Sequence, residues 1–208
     1  MDIIKYILDN KSVIRPITIC SIGSFTLPYL TFYRDKDILI YTDPDNVVSC
    51  RHFIRDQRKQ GLLLDDIHVT TVANNKGRDT YPYLFHYAQL LWGDPVPSVD
   101  IFNDMILQRT CIIRWLQFLI SSNSRKNIYH IYTLMCFWDH NDYLLTPEEV
   151  KIVNLLHSFD QTTNEQLLAE WRLKLLTRLW DRACKMNITL DQIPSEDNKL
   201  ILSSILQN

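Results

Sequence analysis

The feature that most constrains this chain is a set of short β-branched runs that barely alternate between apolar and polar residues. Ile17-Thr18-Ile19-Cys20-Ser21 follows Pro16, and Asp37-Ile38-Leu39-Ile40-Tyr41-Thr42 is the second run. A strand with one wet face alternates, whereas these two read as covered on both faces, which favours a parallel sheet. The third run is Ile67-His68-Val69-Thr70-Thr71-Val72. Between the second and third, Val47, Cys50, Phe53, Ile54 and Gln57 fall at three-and-four spacing over Asn46 to Gln60. Asp45 or Asn46 is the expected cap of that helix and Gly61 its stop. The β-α-β order predicts a right-handed crossover in a small, open, mostly parallel α/β sheet.

Downstream, Leu84, Tyr87, Ala88 and Leu91 share one face of an expected helix over Tyr81 to Trp92, stopped by Gly93-Asp94-Pro95. A fourth short run, Val99-Asp100-Ile101-Phe102, leads into Asn103-Asp104. The chain then reads as helices: Met105 to Ser122, Ile128 to Trp138, Glu148 to Phe159 and Asn164 to about Met186. Thr146-Pro147-Glu148-Glu149 carries a capping residue, a proline at the first helical position and a glutamate placed to close a capping box. With 208 residues, one domain is expected. Its α/β half spans 15–105, and its helical half, 106–208, shares the same core.

Composition removes several function classes. The net charge is −2, so no global positive field points to nucleic acid, and no nucleic-acid partner is expected. Only 4 glycines are present, and neither Gly-rich phosphate-cradle motif occurs. The five cysteines, Cys20, Cys50, Cys111, Cys136 and Cys184, are odd in number and widely spaced. They read as buried thiols in a reducing, cytoplasmic setting rather than as a disulfide framework. The start of the chain, with Asp2 and Asp9, is a poor signal peptide. No apolar run approaches the roughly 18 residues of a membrane span.

One stretch carries chemistry: Val72-Ala73-Asn74-Asn75-Lys76-Gly77-Arg78-Asp79-Thr80-Tyr81-Pro82-Tyr83-Leu84. It reads as a strand end, a polar turn in which Gly77 is free to take positive φ, and a helix start capped by Asp79 or Thr80. In open α/β sheets, ligands bind beyond the strand C-termini. Lys76 and Arg78 suit an anionic group such as a diphosphate. Asp79 is placed to pair with Arg78 or to hydrogen-bond sugar hydroxyls. A purely structural turn with a surface Arg–Asp pair fits the same residues.

The N-x-G-R-D turn followed by an aromatic-rich helix resembles the signature of the rhamnan-synthesis F family. It is also similar to a related family of plants and fungi that has Glu in place of Asp. The resemblance covers roughly 17–106 and rests on Asn75, Gly77, Arg78, Asp79 and Leu84. It implies a glycosyltransferase-A-like, Rossmann-like fold and transfer of a sugar from a nucleotide-sugar donor to the hydroxyl of a glycan or other acceptor. Asn75, Lys76, Gly77 and Arg78 would then bind the donor, and Asp79 would touch nucleotide or sugar. Asp104, assisted by Asn103, would hold Mn²⁺ or Mg²⁺ against the diphosphate. The Asp-x-Asp pair usual at that point is absent. The exposed one in this chain, Asp43-Pro44-Asp45, follows the second strand and also reads as a turn and cap.

Other groups are open to two readings. His86 is a substrate contact or a surface histidine, and Asp139-His140-Asn141-Asp142 a general base for the acceptor or a solvated loop. Arg172, Lys174, Arg178, Arg182 and Lys185 form a basic stripe around Trp171, offset by Glu165, Glu170 and Asp181. That stripe supports an alternative class, a non-enzymatic helical protein-interaction module. Richness in Ile, Asn and Tyr with few glycines fits an AT-rich genome, such as some viruses have.

Overall fold

The structure, a computed structural model, describes residues 2–31, 37–62, 66–73, 80–96, 99–121, 125–158, 165–194, 199–200 and 202–204. The chain divides into two compact units, Met1–Arg78 with Pro82–Val99, and Asp79–Tyr81 with Asp100–Asn208.

The first unit holds helices α1 (Ile3–Asp9), α2 (Lys11–Ile14) and α3 (Val47–Lys59), and strands β1 (Pro16–Ile22), β2 (Asp37–Thr42), β3 (Asp66–Thr70) and β4 (Gln89–Gly93). The sheet order is β3-β2-β1-β4. Ile19, Ile38, Ile40, Ile67 and Val69 of the strands join Ile3, Ile7, Ile14, Cys50 and Ile54 of the helices in one core. Full burial of each isoleucine contributes roughly 1.5–3 kcal/mol. The alternate residues Cys20, Leu39 and Tyr41 are buried as well, so β1 and β2 are covered on both faces.

The sheet is α/β but mixed, which corrects the expected mostly parallel arrangement. Among the described residues only β2 and β3, joined through α3, run parallel; β1 is antiparallel to both β2 and β4. Burial on both faces demands cover, and cover does not require crossover helices on every strand pair. Between β1 and β2 the described residues hold only a single 3-10 turn, Ser24–Thr26, too short for the crossover that a parallel pair needs.

Two local expectations also change. The helix foreseen over Tyr81 to Trp92 is a 3-10 turn, Pro82–Phe85, followed by β4. Leu91 packs against the first unit's core, and β1 uses its second edge to hydrogen-bond β4. Tertiary pairing thus overrides a helical spacing. Gly93 makes the junction, with φ +89°, and a Cβ there would lie 2.1 Å from the Ile17 carbonyl oxygen. The strand foreseen over Val99 to Phe102 is a turn. Ile101 is fully buried, but its carbonyl accepts from Gln108 Nε2 and Trp138 Nε1, both at 2.9 Å, instead of from a neighbouring strand.

The second unit contains α4 (Met105–Ser121), α5 (Arg125–His140), α6 (Pro147–Ser158) and α7 (Glu165–Lys185). From Ile128 to Trp138 every residue of α5 is buried, as befits the central helix of a bundle. The capping box opening α6 forms: Glu149 N–H donates to Thr146 Oγ1 at 3.3 Å, and Thr146 N–H to Glu149 Oε2 at 2.8 Å. Among the described residues no helix is long and apolar enough to cross a membrane.

Candidate functional site

Parallel pairing of β2 and β3 sets where a ligand rim can form in the first unit. Asp37 is in register with Asp66 and Tyr41 with Thr70, so both strands end on the same side. The chain leaves β2 through the exposed turn Asp43-Pro44-Asp45 and enters α3 there. Asn46 does not cap α3 with its side chain. Its amide instead donates to the Val13 and Ile14 carbonyls, at 3.1 and 2.8 Å, and to Thr42 Oγ1 at 3.2 Å. The Thr42 hydroxyl lies within 2.8 Å of the Arg15 carbonyl. This fastens the end of β2 to the end of α2, and it leaves the first amides of α3 without a side-chain cap. Arg51 pins α3 to β3, its Nε and Nη2 donating to the Val69 carbonyl at 2.9 and 2.8 Å. Arg15 and Asp45 make a loose, solvent-exposed pair at 3.9 Å.

β3 ends at Thr70 and is followed by the buried Thr71 and the exposed Val72 and Ala73. Asn75, Lys76, Gly77, Arg78 and Asp79 lie outside the described residues. Leu84, the remaining position of the turn signature, is buried in the 3-10 turn. His86 follows that turn, exposed, with its ring 4.8 Å from that of Tyr87. Partial burial lowers its pKa.

The residues foreseen as metal ligands sit at the start of α4 in the second unit. Asp104 Oδ1 accepts from Leu107 N–H at 2.9 Å and so acts as the helix cap. Asn103 donates its amide to Asp100 Oδ2 at 3.0 Å, and Asp100 Oδ1 accepts from the Phe102 and Asn103 N–H groups, also at 3.0 Å. These bonds, the Asn103 amide foremost, hold the Asp100 carboxyl below its usual range. Asp104 Oδ2 and Asn103 Oδ1 stand outside these bonds. Both are hard oxygen donors of the kind that Mg²⁺ and Mn²⁺ take.

A second donor set carries no sequence motif. Asp37 opens β2, Asp66 opens β3 beside it, and His68 follows two residues on, on the same sheet face. His68 Nε2 lies 3.6 Å from Asp37 Oδ1 and 3.6 Å from Asp66 Oδ2. One ligand atom from each of the three falls within 4.8 Å of the others. Mixed carboxylate and imidazole donors suit Mn²⁺ or Zn²⁺. Arg58 Nη2, 2.9 Å from Asp66 Oδ1, competes for one of the carboxylates. The group lies at the opposite ends of β2 and β3 from the Asp43–Asp45 turn. Its only trace in the sequence is that two strands each begin with Asp; strand register is needed to bring them together.

The remaining polar candidates in the second unit are engaged internally. Asp139 accepts from Arg178 and lies 3.6 Å from Arg182 Nη1. His140 Nε2 sits 2.9 Å from Glu149 Oε1. Arg172 donates to the Leu119 and Ile120 carbonyls. Much of the α7 basic stripe is therefore spent within its own bundle.

No protein-family model, curated protein or solved structure matches this chain.

Proposed function

We propose that the first unit binds a nucleotide-sugar at the rim beyond β2 and β3, and that the chain is a glycosyltransferase-like enzyme acting on an acceptor hydroxyl. One observation supports this reading above the others. Among the described residues the one parallel strand pair is also the pair joined through α3, so the Asp43–Asp45 turn, the start of α3 and the chain leading from β3 toward Asn75–Asp79 leave from a common rim. That is the setting in which α/β proteins take up phosphorylated ligands. In this reading Lys76 and Arg78 hold the diphosphate, with Asn75 and Gly77 shaping the turn, and Asp79 contacts nucleotide or sugar. The assignment of a divalent cation to Asp104 and Asn103 is a separate claim with its own test.

Thermal unfolding with nucleoside diphosphates and their sugar conjugates, with and without Mn²⁺, tests the proposal. A ligand at about 100 times its Kd stabilises the folded state by roughly 2.7 kcal/mol. The expected result is a shift with at least one nucleotide that disappears in the Lys76→Ala/Arg78→Ala variant. Absence of any shift at millimolar nucleotide overturns the reading.

A further inference from the structure

Three α7 cations, two of them already sharing Asp139, converge on a cavity. A cleft of about 400 Å³ opens among α4, α5 and α7, with Met135 and Met186 supplying apolar wall. Arg178, Arg182 and Lys185 line it from one helix, at the four- and three-residue steps that stack side chains on one face. Asp139, also in its wall, accepts from Arg178 and lies 3.6 Å from Arg182. Among the described residues Lys185 has no ion-pair partner. The Arg182 guanidinium stacks 4.7 Å from the centre of the Trp138 ring, which fixes its plane while leaving edge N–H groups to serve a second acceptor.

We propose that this cleft binds a small organic anion, a phosphate or carboxylate carried on an apolar body. Size argues against a bare inorganic ion, since about 400 Å³ lies within the range of small-molecule pockets. Charge argues for an anion: three cations face two carboxylates, Asp139 and Asp181, and Asp139 already serves two of the cations. Asp139 acts as an internal surrogate for the ligand's charged group. It holds the arginines in place and competes with the incoming anion for their N–H groups. The apolar body would lie along the methionine wall, where a flexible thioether adapts to its shape.

The competition gives the test opposite signs at neighbouring residues. Calorimetric titration of the full chain with phenyl phosphate is expected to show saturable binding, weakened about tenfold or more by Arg182→Gln and by Lys185→Gln. Asp139→Asn should tighten it severalfold, because two guanidiniums lose their internal counter-charge and keep only a neutral acceptor. Lys76→Ala/Arg78→Ala should leave phenyl phosphate binding unchanged, which separates this cleft from the proposed nucleotide rim. Lys185→Gln changes an exposed side chain and keeps the fold, so the test stands even if the Arg182 variant misfolds. Four results overturn the proposal: no binding at about 10 mM phenyl phosphate, binding indifferent to Lys185→Gln, weaker binding in Asp139→Asn, or inorganic phosphate binding as tightly as phenyl phosphate.

Discussion

Arg172 donates through Nη2 to the main-chain carbonyl of Ile120 at 2.5 Å, so a residue of α7 caps the C-terminal end of α4. Its Nε reaches the Leu119 carbonyl as well. The relation is reciprocated at the other end, where Arg109 of α4 donates to the Met186 carbonyl just beyond α7. Each helix thus satisfies carbonyls that the other leaves unpaired, with a positive charge at the negative end of the dipole. Arg172→Ala should lower unfolding stability by about 1.5–3 kcal/mol, the range for hydrogen bonds from charged groups. Arg172→Lys should lose less but not recover the wild-type value, since an ammonium on a flexible stem lacks the rigid planar fork that fits two carbonyls. Urea unfolding of the three proteins checks this.

His130 makes the second unit sensitive to acid. It is buried between Tyr129 and Tyr81, with ring centroids at 4.0 and 4.5 Å. Burial, then Lys126 and His157, hold its pKa well below the ordinary value. The folded state therefore resists protonation while the unfolded state accepts it. Its contribution to stability is full above the unfolded pKa, about 6.5, and is lost as the pH falls from there toward the depressed folded value. The expected slope is up to about 1.4 kcal/mol per pH unit. His130→Gln should flatten stability against pH between about 6.5 and 5, whatever its effect on the absolute value. An unchanged slope would show that another group sets the acid limit.

Thiol chemistry should single out one cysteine of five. Cys20, Cys50, Cys111 and Cys136 are buried and Cys184 is exposed. Burial pushes Cys20 and Cys136 up to about 12 and Cys50 to about 11, the last opposed by Arg51. A maleimide added to native protein near neutral pH should modify Cys184 alone, and denaturant should expose the other four. Mass spectrometry of the peptides reads the outcome.

What the sequence revealed follows from which signals are local. The span of β2, the helical spacing of α3 and the Thr146–Glu149 box are set by residues within a few positions of one another, and all three were legible. Strand direction was not, because it depends on what joins the strands. The β1–β2 connection contributes no helix among the described residues. Leu84, Tyr87, Ala88 and Leu91 have helical spacing, which predicts a helix where β4 forms, and only the free edge of β1 converts the last of them to strand. The same reasoning covers the sites. The Asn75–Asp79 motif is local in the sequence and stands out by eye, whereas Asp37, Asp66 and His68 meet only through a parallel register.

Gly23 and Asp37 should behave as a coupled pair. Gly23 has φ +86°, and a Cβ there would lie 2.1 Å from Asp37 Oδ2. Gly23→Ala therefore combines backbone strain, of order 1–3 kcal/mol, with expulsion of the carboxylate. The clash is with a side chain and can be removed separately. Gly23→Ala/Asp37→Ala should regain part of the loss and leave the backbone component. Additive losses across the double-mutant cycle would contradict the close approach.

The two roles open to Asp104 can be separated by the choice of replacement. As the cap of α4 it needs only a side-chain oxygen that accepts from Leu107 N–H. Asparagine provides one and is as good a cap as aspartate, so Asp104→Asn should leave stability within a few tenths of a kcal/mol. Alanine provides none, and Asp104→Ala should cost about 1 kcal/mol. Metal binding ranks the variants differently. A divalent cation is held chiefly by the carboxylate charge, which both replacements remove. If Asp104 is a metal ligand, both variants lose Mn²⁺ binding, read by electron paramagnetic resonance of the titrated ion, while only the alanine variant loses stability. Mn²⁺ binding retained by Asp104→Asn but lost in Asp37→Asn and His68→Ala would move the cation to the β2–β3 group and leave Asp104 as the cap of α4 alone.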